Sequence, residues 1–400
     1  MNKFAMSGRR IAHIRGEKMS AYFDLSEEER LIQQTARDFA DSEVAPMAAE
    51  NDANGQFPRG LVEKLAKLGF MGMLIPEQYG GSNAGNFALV LALEEINRAC
   101  ASTGVTMSVH NSLASSPIVG FANEETKKKY LPKMAKGELL GAYALSEASA
   151  GSDAASLQAR AVKDGNEYVL NGTKSWITSG AEADLFVVML RTDPSERAKG
   201  ISAFAVERDT NGFSVGKKEN KLGLRASSTV QLIFEDARVP AENMLGSEGE
   251  GFKIAMWTLD GGRIGIGTQA VGIAQACLDA SVSYAKEREQ FGKLIGEFQA
   301  IQWKIADMAM NIEAARLMIY RAARLRDRKE PHTKEAAMAK LFASEMANRA
   351  AREAVQIYGG AGYLKDSSVE RYFRDVRITE IYEGTSEIHR IVISRFLLKN

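Results

Sequence analysis

The clearest local match to a cofactor motif lies at Gly265–Ala270, where Gly-Ile-Gly-Thr-Gln-Ala fits the pattern G-x-G-x-x-A. Glu287 follows Gly267 by 20 residues. Such a pattern binds a nicotinamide dinucleotide when it follows a strand, opens a helix and leads to a second strand. Here the flanking segments, Phe252–Leu259 and Val271–Ala285, are helical in period, and no strand follows. The small residues therefore predict close packing between helices rather than a dinucleotide site.

Cysteine and histidine chemistry is not favoured either. Both cysteines lie in apolar, helix-like stretches, which predicts buried side chains and is typical of a reducing compartment. No two histidines are spaced like a pair of zinc ligands, so we predict neither a metal site nor a histidine-based nucleophile. The residues concerned are Cys100, Cys277, His13, His110, His332 and His389.

The composition is that of a globular protein with a core and no net charge. Of 400 residues, 45% are hydrophobic and 26% are charged, and 51 basic residues balance 51 acidic ones. This balance argues against nucleic acid, or a membrane surface, as a partner held by bulk electrostatics. The longest apolar runs, Ala88–Leu93 and Leu185–Leu190, are far shorter than the roughly 20 residues of a membrane span.

Residues 1–22 differ in character from the rest of the chain. Up to Ser20 they carry five basic residues against the single acid Glu17, and they lack the apolar core of a secretory signal. We interpret them as a tail or a targeting segment.

The remaining pattern predicts an α+β multidomain chain in the order α, β, α. Residues 23–142 are predicted to form an N-terminal all-helical domain that begins with a capping box at Ser26–Glu29. Residues 143–250 are predicted to form a mostly antiparallel β-domain, in which Asn171-Gly172 predicts a tight hairpin. Residues 251–400 are predicted to form a four-helix bundle, because apolar residues from Ile301 to Ala322 recur at alternating steps of four and three.

Three segments together resemble the signatures of one enzyme family. They are Tyr143–Asp153 (YALSEASAGSD), Asn171–Thr178 (NGTKSWIT) and Ile381–Ile388 (IYEGTSEI), supported by Lys221–Thr229 (KLGLRASST) and Arg288–Gly292 (REQFG). They are similar to the signatures of the acyl-CoA dehydrogenases, with the closest likeness to short-chain and short/branched-chain enzymes. The resemblance runs from about Phe23 to Leu398 and implies the same α, β, α layout.

The resemblance implies an activity, a cofactor and partners. The expected reaction is FAD-dependent α,β-dehydrogenation of a short-chain acyl-CoA to a trans-2-enoyl-CoA, with electrons passed to an electron-transferring flavoprotein. The pathway would be fatty-acid β-oxidation or the breakdown of branched-chain amino acids. A homotetramer is expected, located in a bacterial cytoplasm or, in a eukaryote, in the mitochondrial matrix.

Glu383 is the expected catalytic base. It precedes Gly384, which allows the backbone to turn tightly and to approach a ligand closely. The N-terminus of the following helix would lower the pKa of this carboxyl group. Burial against flavin and acyl chain would raise the pKa by more, up to several units when burial is complete. A base tuned toward neutral pH is therefore expected.

The resemblance also assigns binding residues by motif position. The expected flavin contacts within one chain are Tyr143, Leu145, Ser146, Gly151, Ser152, Trp176, Ile177, Thr178, Thr385 and Glu387. Residues expected to hold the adenosine diphosphate end from a neighbouring subunit are Arg288, Phe291, Gln299, Gln356, Ile357, Gly359 and Gly360. The expected acyl-CoA contacts are Ser152, Asp260, Arg263 and Gly384. Where many relatives have Pro-Gly, this chain has Ala148-Ser149, so a less rigid loop is expected there.

Several alternatives stay open at this point. Some relatives carry the base on an earlier helix, at the position of Gly262, which has no side chain here. Relatives acting on glutaryl-CoA carry an arginine near the acyl tail, at the position of Gly104. Straight and 2-methyl-branched short-chain substrates are not separated by sequence. The remaining alternatives are an acyl-CoA oxidase and a non-catalytic flavoprotein that binds acyl-CoA.

Overall fold

The N-terminal part of the protein is helical, as predicted. The computed structural model describes residues 25–398, so the segment 1–22 and its interpretation lie outside the described residues. The capping box at the start of α1 is confirmed, because Ser26 Oγ accepts from Glu29 N at 3.1 Å and Ser26 N donates to Glu29 Oε2 at 2.9 Å. The helices are α1 (Glu27–Phe39), α2 (Ala45–Asn54), α3 (Arg59–Lys67), α4 (Gly85–Ala99), α5 (Ala101–Ser108), α6 (Ser116–Phe121) and α7 (Glu124–Ala135).

Two π-helical segments interrupt these helices, and the sequence pattern did not predict them. They span Ala40–Val44 and Val109–Ser115. Segments of this kind are rare and often occur at functional sites. The second segment turns Val109 and Leu113 toward the cavity described below.

The middle domain is a mostly antiparallel sheet, as predicted. Its path runs in the order β6-β7-β3-β2-β4-β5-β8, and β1 pairs with β4 in parallel. Residues Leu185–Leu190, one of the two longest apolar runs, are buried throughout their strand. The strands are β1 (Gly141–Ala144), β2 (Arg160–Asp164), β3 (Glu167–Thr178), β4 (Leu185–Arg191), β5 (Ile201–Glu207), β6 (Phe213–Val215), β7 (Thr229–Pro240) and β8 (Met244–Leu245).

The hairpin predicted at Asn171-Gly172 is wrong. Both residues lie inside β3, which pairs with β7 on either side of them, with a register shift between Leu170 and Gly172. Gly172 has a φ of 129°, and a Cβ at this position would lie 2.7 Å from Ala159 Cα. The glycine is therefore explained by a bulge and a close backbone approach rather than by a chain reversal.

The C-terminal part is helical again. Its three long helices pack on one another, and α12 packs on α10. The elements are α8 (Gly251–Glu287), a short hairpin of β9 (Glu289–Gln290) and β10 (Lys293–Leu294), α9 (Gln299–Asp327), α10 (Thr333–Tyr358), α11 (Ser368–Val376) and α12 (Ser386–Leu398). The predicted apolar seam of α9 is confirmed by its buried residues Met308, Ile312, Ala315, Ile319 and Ala322.

The glycine motif at Gly265–Ala270 lies in the interior of α8, which confirms its interpretation as helix packing. A Cβ at Gly265 would lie 2.4 Å from Ser108 Oγ, and one at Gly267 would lie 3.3 Å from Ile319 Cγ1. Both predicted buried cysteines are buried. Across residues 25–398, none of the helices has the length and apolar character needed to cross a membrane.

Candidate active site

A cavity of about 420 Å³ lies where the β-domain meets the helices on either side of it. Eleven of the residues predicted from sequence to bind cofactor or substrate, or to catalyse, line this cavity. They are Tyr143, Leu145, Ser146, Gly151, Ser152, Trp176, Ile177, Thr178, Arg263, Glu383 and Gly384.

Glu383 sits on a left-handed turn just before α12. Its φ is 52° and that of Gly384 is 101°. Its Oε2 atom is shielded from solvent and has no hydrogen-bond partner within residues 25–398. Burial raises the pKa of Glu383 to about 8, although the charges of Lys340 and Arg263 oppose this shift. The carboxyl group therefore exchanges its proton at neutral to slightly basic pH, the range in which a general base is effective.

Gly262 of α8 lies directly against this carboxyl group. A Cβ at Gly262 would lie 1.9 Å from Glu383 Oε2 and 2.7 Å from Leu113 Cδ2. The two positions at which the family resemblance places the base therefore meet at one point in the structure. Since Gly262 has no side chain, Glu383 occupies this point alone.

The loop between β1 and β2 carries Ser146 and Ser152 to the cavity. Glu147 anchors it, because its carboxylate accepts from Lys174 Nζ at 2.8 Å, Gln158 N at 2.7 Å and Ala159 N at 2.9 Å. In addition, Ser175 N donates to the Ser146 carbonyl at 2.9 Å. These contacts fix the loop on both sides without the Pro-Gly pair that many relatives carry.

A bulge in β3 presents Trp176. Between Lys174 and Ile177 the pairing with β7 skips one residue, and Trp176 has a φ of 61°. Trp176 is 55% exposed and lines the cavity. A bulge beside a cavity often redirects a side chain, and this one leaves a flat apolar face available to a planar ligand.

Asp260 and Arg263 form a buried pair rather than a solvated pair on a helix surface. Arg263 Nη1 donates to Asp260 Oδ1 at 2.6 Å, and Thr333 Oγ1 donates to Asp260 Oδ2 at 2.6 Å. Arg263 lines the cavity, and its Nε atom has no partner among the described residues. Asp260 lies behind it and orients the guanidinium group.

The remaining predicted cofactor residues do not line this cavity. Thr385 and Glu387 follow the Glu383 turn, and Thr385 Oγ1 accepts from Ile388 N at 3.4 Å. The others gather where the C-terminal ends of α8 and α10 adjoin, since Tyr284 stacks on Tyr358 with ring centroids 4.1 Å apart. This second group consists of Arg288, Phe291, Gln299, Gln356, Ile357, Gly359 and Gly360, most of them exposed.

The two groups are far apart within one chain. Arg288 follows Gly262 by 26 residues of the chain, which corresponds to roughly 39 Å along α8 at 1.5 Å per residue. Phe291, at the tip of the hairpin, is 94% exposed. In this structure the second group is therefore not brought to the Glu383 cavity.

Several lining residues were missed by sequence reasoning. Val109, Leu113 and Leu259 form apolar walls, and Tyr382 donates its hydroxyl to Gln269 Oε1. A neighbouring cavity of about 410 Å³ shares Trp176, Thr178 and Tyr382 with the first and is also lined by Leu222, Ile378 and Ile381. These residues have ordinary core or loop patterns, so no sequence signal distinguishes them. The exception is Tyr382, which adjoins the base.

Known proteins are similar to this chain over nearly its whole length. The N-terminal, middle and C-terminal domain models of the acyl-CoA dehydrogenases match residues 26–138, 142–237 and 249–398. The mitochondrial short-chain specific acyl-CoA dehydrogenase of Mus musculus is 52% identical over 94% of this chain and 92% of its own length. The short-chain specific enzyme of Clostridium acetobutylicum is 49% identical over 93% of this chain and 98% of its own length.

Two solved structures are similarly close. Butyryl-CoA dehydrogenase from Megasphaera elsdenii has a TM-score of 0.93 and 45% identity, covering 94% of this chain and all of that one. A chain solved in work on the electron-transferring flavoprotein of Acidaminococcus fermentans has a TM-score of 0.93 and 49% identity, with the same coverage. With three matching domains and relatives about half identical over nearly its whole length, the chain belongs to the acyl-CoA dehydrogenase family, whose members are FAD-dependent oxidoreductases.

Proposed function

We propose that this enzyme dehydrogenates short-chain acyl-CoA thioesters to trans-2-enoyl-CoA, with Glu383 as the base. The observation that carries the proposal is the Glu383 carboxyl group, whose Oε2 atom faces Gly262 and Leu113 without a hydrogen-bond partner in the described chain. An unpartnered buried carboxyl is costly unless a ligand completes its surroundings. A thioester whose α-carbon lies beside this carboxyl would do so.

The chain's own residues divide the work at this site. Glu383 takes the α-proton, and its raised pKa lets it hold that proton at neutral pH. The Glu383–Gly384 turn brings its backbone close to the position that the thioester oxygen would take. Backbone N–H groups at such a point stabilise developing negative charge. Val109, Leu113 and Leu259 exclude water from the reacting carbons.

The residues present suit a flavin. Trp176 offers an exposed indole face, Thr178 and Ser146 offer hydroxyl groups, and Tyr143 has a buried hydroxyl without a partner among residues 25–398. The apolar walls of the neighbouring cavity would surround one end of the ring system. When bound, FAD supplies the hydride acceptor that the reaction requires, which no side chain can replace.

A short acyl chain suits the walls of the cavity. Leu113 lies against Gly262 and Glu383, so the space next to the base is narrow. An arginine at Gly104 would have no room, since even a Cβ there would lie 2.1 Å from Asn97 Oδ1. A dicarboxylyl substrate would therefore lack its cation at this position. A 2-methyl-branched chain is the second candidate, because one methyl group changes binding by only about 1–3 kcal/mol.

Electrons are proposed to pass to an electron-transferring flavoprotein. The support is the similar chain from the Acidaminococcus fermentans flavoprotein work, at 49% identity. The relatives include mitochondrial and bacterial enzymes, so a mitochondrial matrix or a bacterial cytoplasm would suit this chemistry.

We also propose that the FAD site is shared between subunits of a homotetramer. The second group of predicted residues lies too far from the Glu383 cavity to hold the same dinucleotide within one chain. An extended loop from a neighbouring copy, with Phe291 at its tip, would supply these residues. The guanidinium group of Arg288 can donate two parallel hydrogen bonds, which suits a pyrophosphate.

The test measures the loss of flavin absorbance (bleaching) under anaerobic conditions. The substrates are saturated acyl-CoAs of increasing length and 2-methyl-branched acyl-CoAs. We expect rapid bleaching with butyryl-CoA and an enoyl-CoA product. Glu383→Gln should still bind acyl-CoA but should not bleach, whereas Glu380→Gln, the matched control whose carboxyl pairs with Arg377, should behave like the parent. Bleaching of Glu383→Gln at the parental rate would contradict the proposal. Peroxide release in air without a carrier protein would instead indicate an oxidase.

A further inference from the structure

A buried lysine lies behind the turn that carries the base. Lys340 of α10 is completely shielded from solvent, and its Nζ atom donates to the Gly384 carbonyl at 2.7 Å. Burying an amine is costly, so such a residue needs a specific reason. None of the assignments made from sequence involves Lys340.

The hydrogen bond from Lys340 is made to a turn whose backbone conformation is strained. Glu383 adopts a positive φ of 52°, a conformation that is unfavourable for a non-glycine residue. On the other side of the turn, the His389 ring lies 3.2 Å from where a Gly384 Cβ would be. His389 is fully buried. Gly384 is therefore in close contact with both the imidazole ring and the amine of Lys340.

Four charged side chains act on this amine. Burial lowers the pKa of Lys340, and the positive charge of Arg263 on α8 acts in the same direction. The protonated form is favoured by three carboxylates near the C-terminal end of the chain, Glu383, Glu380 and Glu387. His389 also faces this cluster, and burial, together with the charges of Lys340 and Arg263, keeps its ring neutral by lowering its pKa. Since both the amine and the ammonium form have N–H groups, the hydrogen bond to Gly384 persists in either state.

We propose that Lys340 is a positioning residue, which fixes the Glu383–Gly384 turn through the Gly384 carbonyl and so holds the Glu383 carboxyl group in the cavity. The inference rests on the proposed function, because it assigns a role in that same reaction. Lys340 itself is behind the turn and does not line the cavity.

The variant Lys340→Met removes both the donor and the charge. We expect kcat for butyryl-CoA to fall by about 10- to 100-fold with a change in KM of less than about threefold, because a misplaced base costs rate more than binding. The acidic limb of the kcat/KM profile should move to higher pH, since the Lys340 charge lowers the pKa of Glu383. The flavin content should stay at the parental value.

Ile273→Ala provides the matched control, because it truncates a buried side chain of α8 away from the turn. It should lower the melting temperature without moving the pH profile. If Lys340→Met gives no folded protein, Lys340→Gln, which keeps an N–H donor but no charge, should still shift the acidic limb upward. A parental kcat and pH profile in the folded lysine variant would overturn the inference, as would losses no different from those of Ile273→Ala. A parent that no acyl-CoA bleaches would instead contradict the proposed function.

Discussion

Two opposing influences set the protonation of Glu383. Loss of water raises its pKa to about 8, and the charges of Lys340 and Arg263 reduce the rise. An acid with this pKa binds a proton in the folded state at pH values where the unfolded chain has released it. The raised pKa that lets Glu383 hold a substrate proton should therefore also make the free energy of unfolding depend on pH.

Glu383→Gln should stabilise the enzyme in a pH-dependent way. The folded-state pKa of about 8 lies above the ordinary value of 4.5, so the contribution of this group is fully present below pH 4.5 and is lost as the pH rises through 8. Glutamine stays neutral and escapes that loss, which is on the order of 5 kcal/mol, at about 1.4 kcal/mol for each pKa unit between 4.5 and 8. Melting temperatures of parent and variant should converge near pH 5 and diverge by pH 8.5. A constant difference across this range would contradict the raised pKa.

Gly262→Ala should impair the base through contact alone. Its Cβ would lie 1.9 Å from Glu383 Oε2, so the carboxyl group must move. We expect kcat to fall by about 100-fold, as for a displacement of about 1 Å at a reacting group. The measurement is single-turnover flavin reduction at saturating substrate.

Gly267→Ala is the control for that change on the same helix. Its nearest neighbours would be side-chain carbons of Ile319 at 3.3 and 3.4 Å, which can adjust. We expect normal flavin reduction and a gain or loss in unfolding free energy of no more than about 1 kcal/mol, the difference in helix propensity. Equal kinetic losses in both variants would mean that α8 tolerates no side chain at either glycine, independently of Glu383.

At the scale of the elements, the sequence predicted a helix correctly where its apolar residues follow a single period. The seam of α9 is visible because each apolar residue faces the same neighbours along the whole helix. The prediction failed at Asn171-Gly172, because a glycine required by the approach of Ala159 looks the same as one required by a turn. The π-helical segment Val109–Ser115 was also missed, since its packing depends on elements distant in sequence.

The ion pair of Glu147 and Lys174 joins the loop after β1 to β3. Both residues are buried, with 5% and 0% of their surface exposed. Burial alone would raise the pKa of Glu147, but the Lys174 charge and two backbone N–H groups hold it below the ordinary value. Burial lowers the pKa of Lys174 to about 8 against the opposing charge of Glu147.

Lys174→Met should loosen this loop and weaken FAD binding. Removing one partner of a buried pair costs about 3–5 kcal/mol, and the two backbone donors to Glu147 place the expected loss near the lower end. FAD affinity from fluorescence titration should fall together with the melting temperature. Arg197→Gln, which breaks the exposed pair with Asp153, should cost no more than about 1 kcal/mol. Unchanged FAD affinity in Lys174→Met would show that the loop does not depend on the pair.

At the scale of the whole molecule, the cavity exists only where the domains meet. The role of Glu383 was predicted from the family resemblance. The local sequence alone, an acid followed by a glycine and a helix, is equally typical of a solvated carboxylate. Its burial depends on Gly262 of α8, and its turn depends on Lys340, which is 44 positions from Gly384. Contacts over such separations leave no local pattern, so the residues around the base could not be inferred from spacing.

The hairpin of β9 and β10 provides the test of the shared FAD site. Phe291 is 94% exposed at its tip and contacts Phe298 edge-on, with ring centroids 6.1 Å apart, so its truncation should leave the fold of the chain intact. If the ring covers the cofactor of a neighbouring copy, Phe291→Ala should weaken FAD binding by about 10- to 30-fold, as for an aromatic contact at an interface. Leu31→Ala, at a side chain that is 66% exposed on α1, is the control and should bind FAD normally. Light scattering and FAD titration over a range of protein concentrations would then distinguish an FAD site shared between subunits from one completed within a single subunit. A shared site requires that FAD is lost as the oligomer dissociates, whereas a monomer that retains FAD at full affinity would refute it.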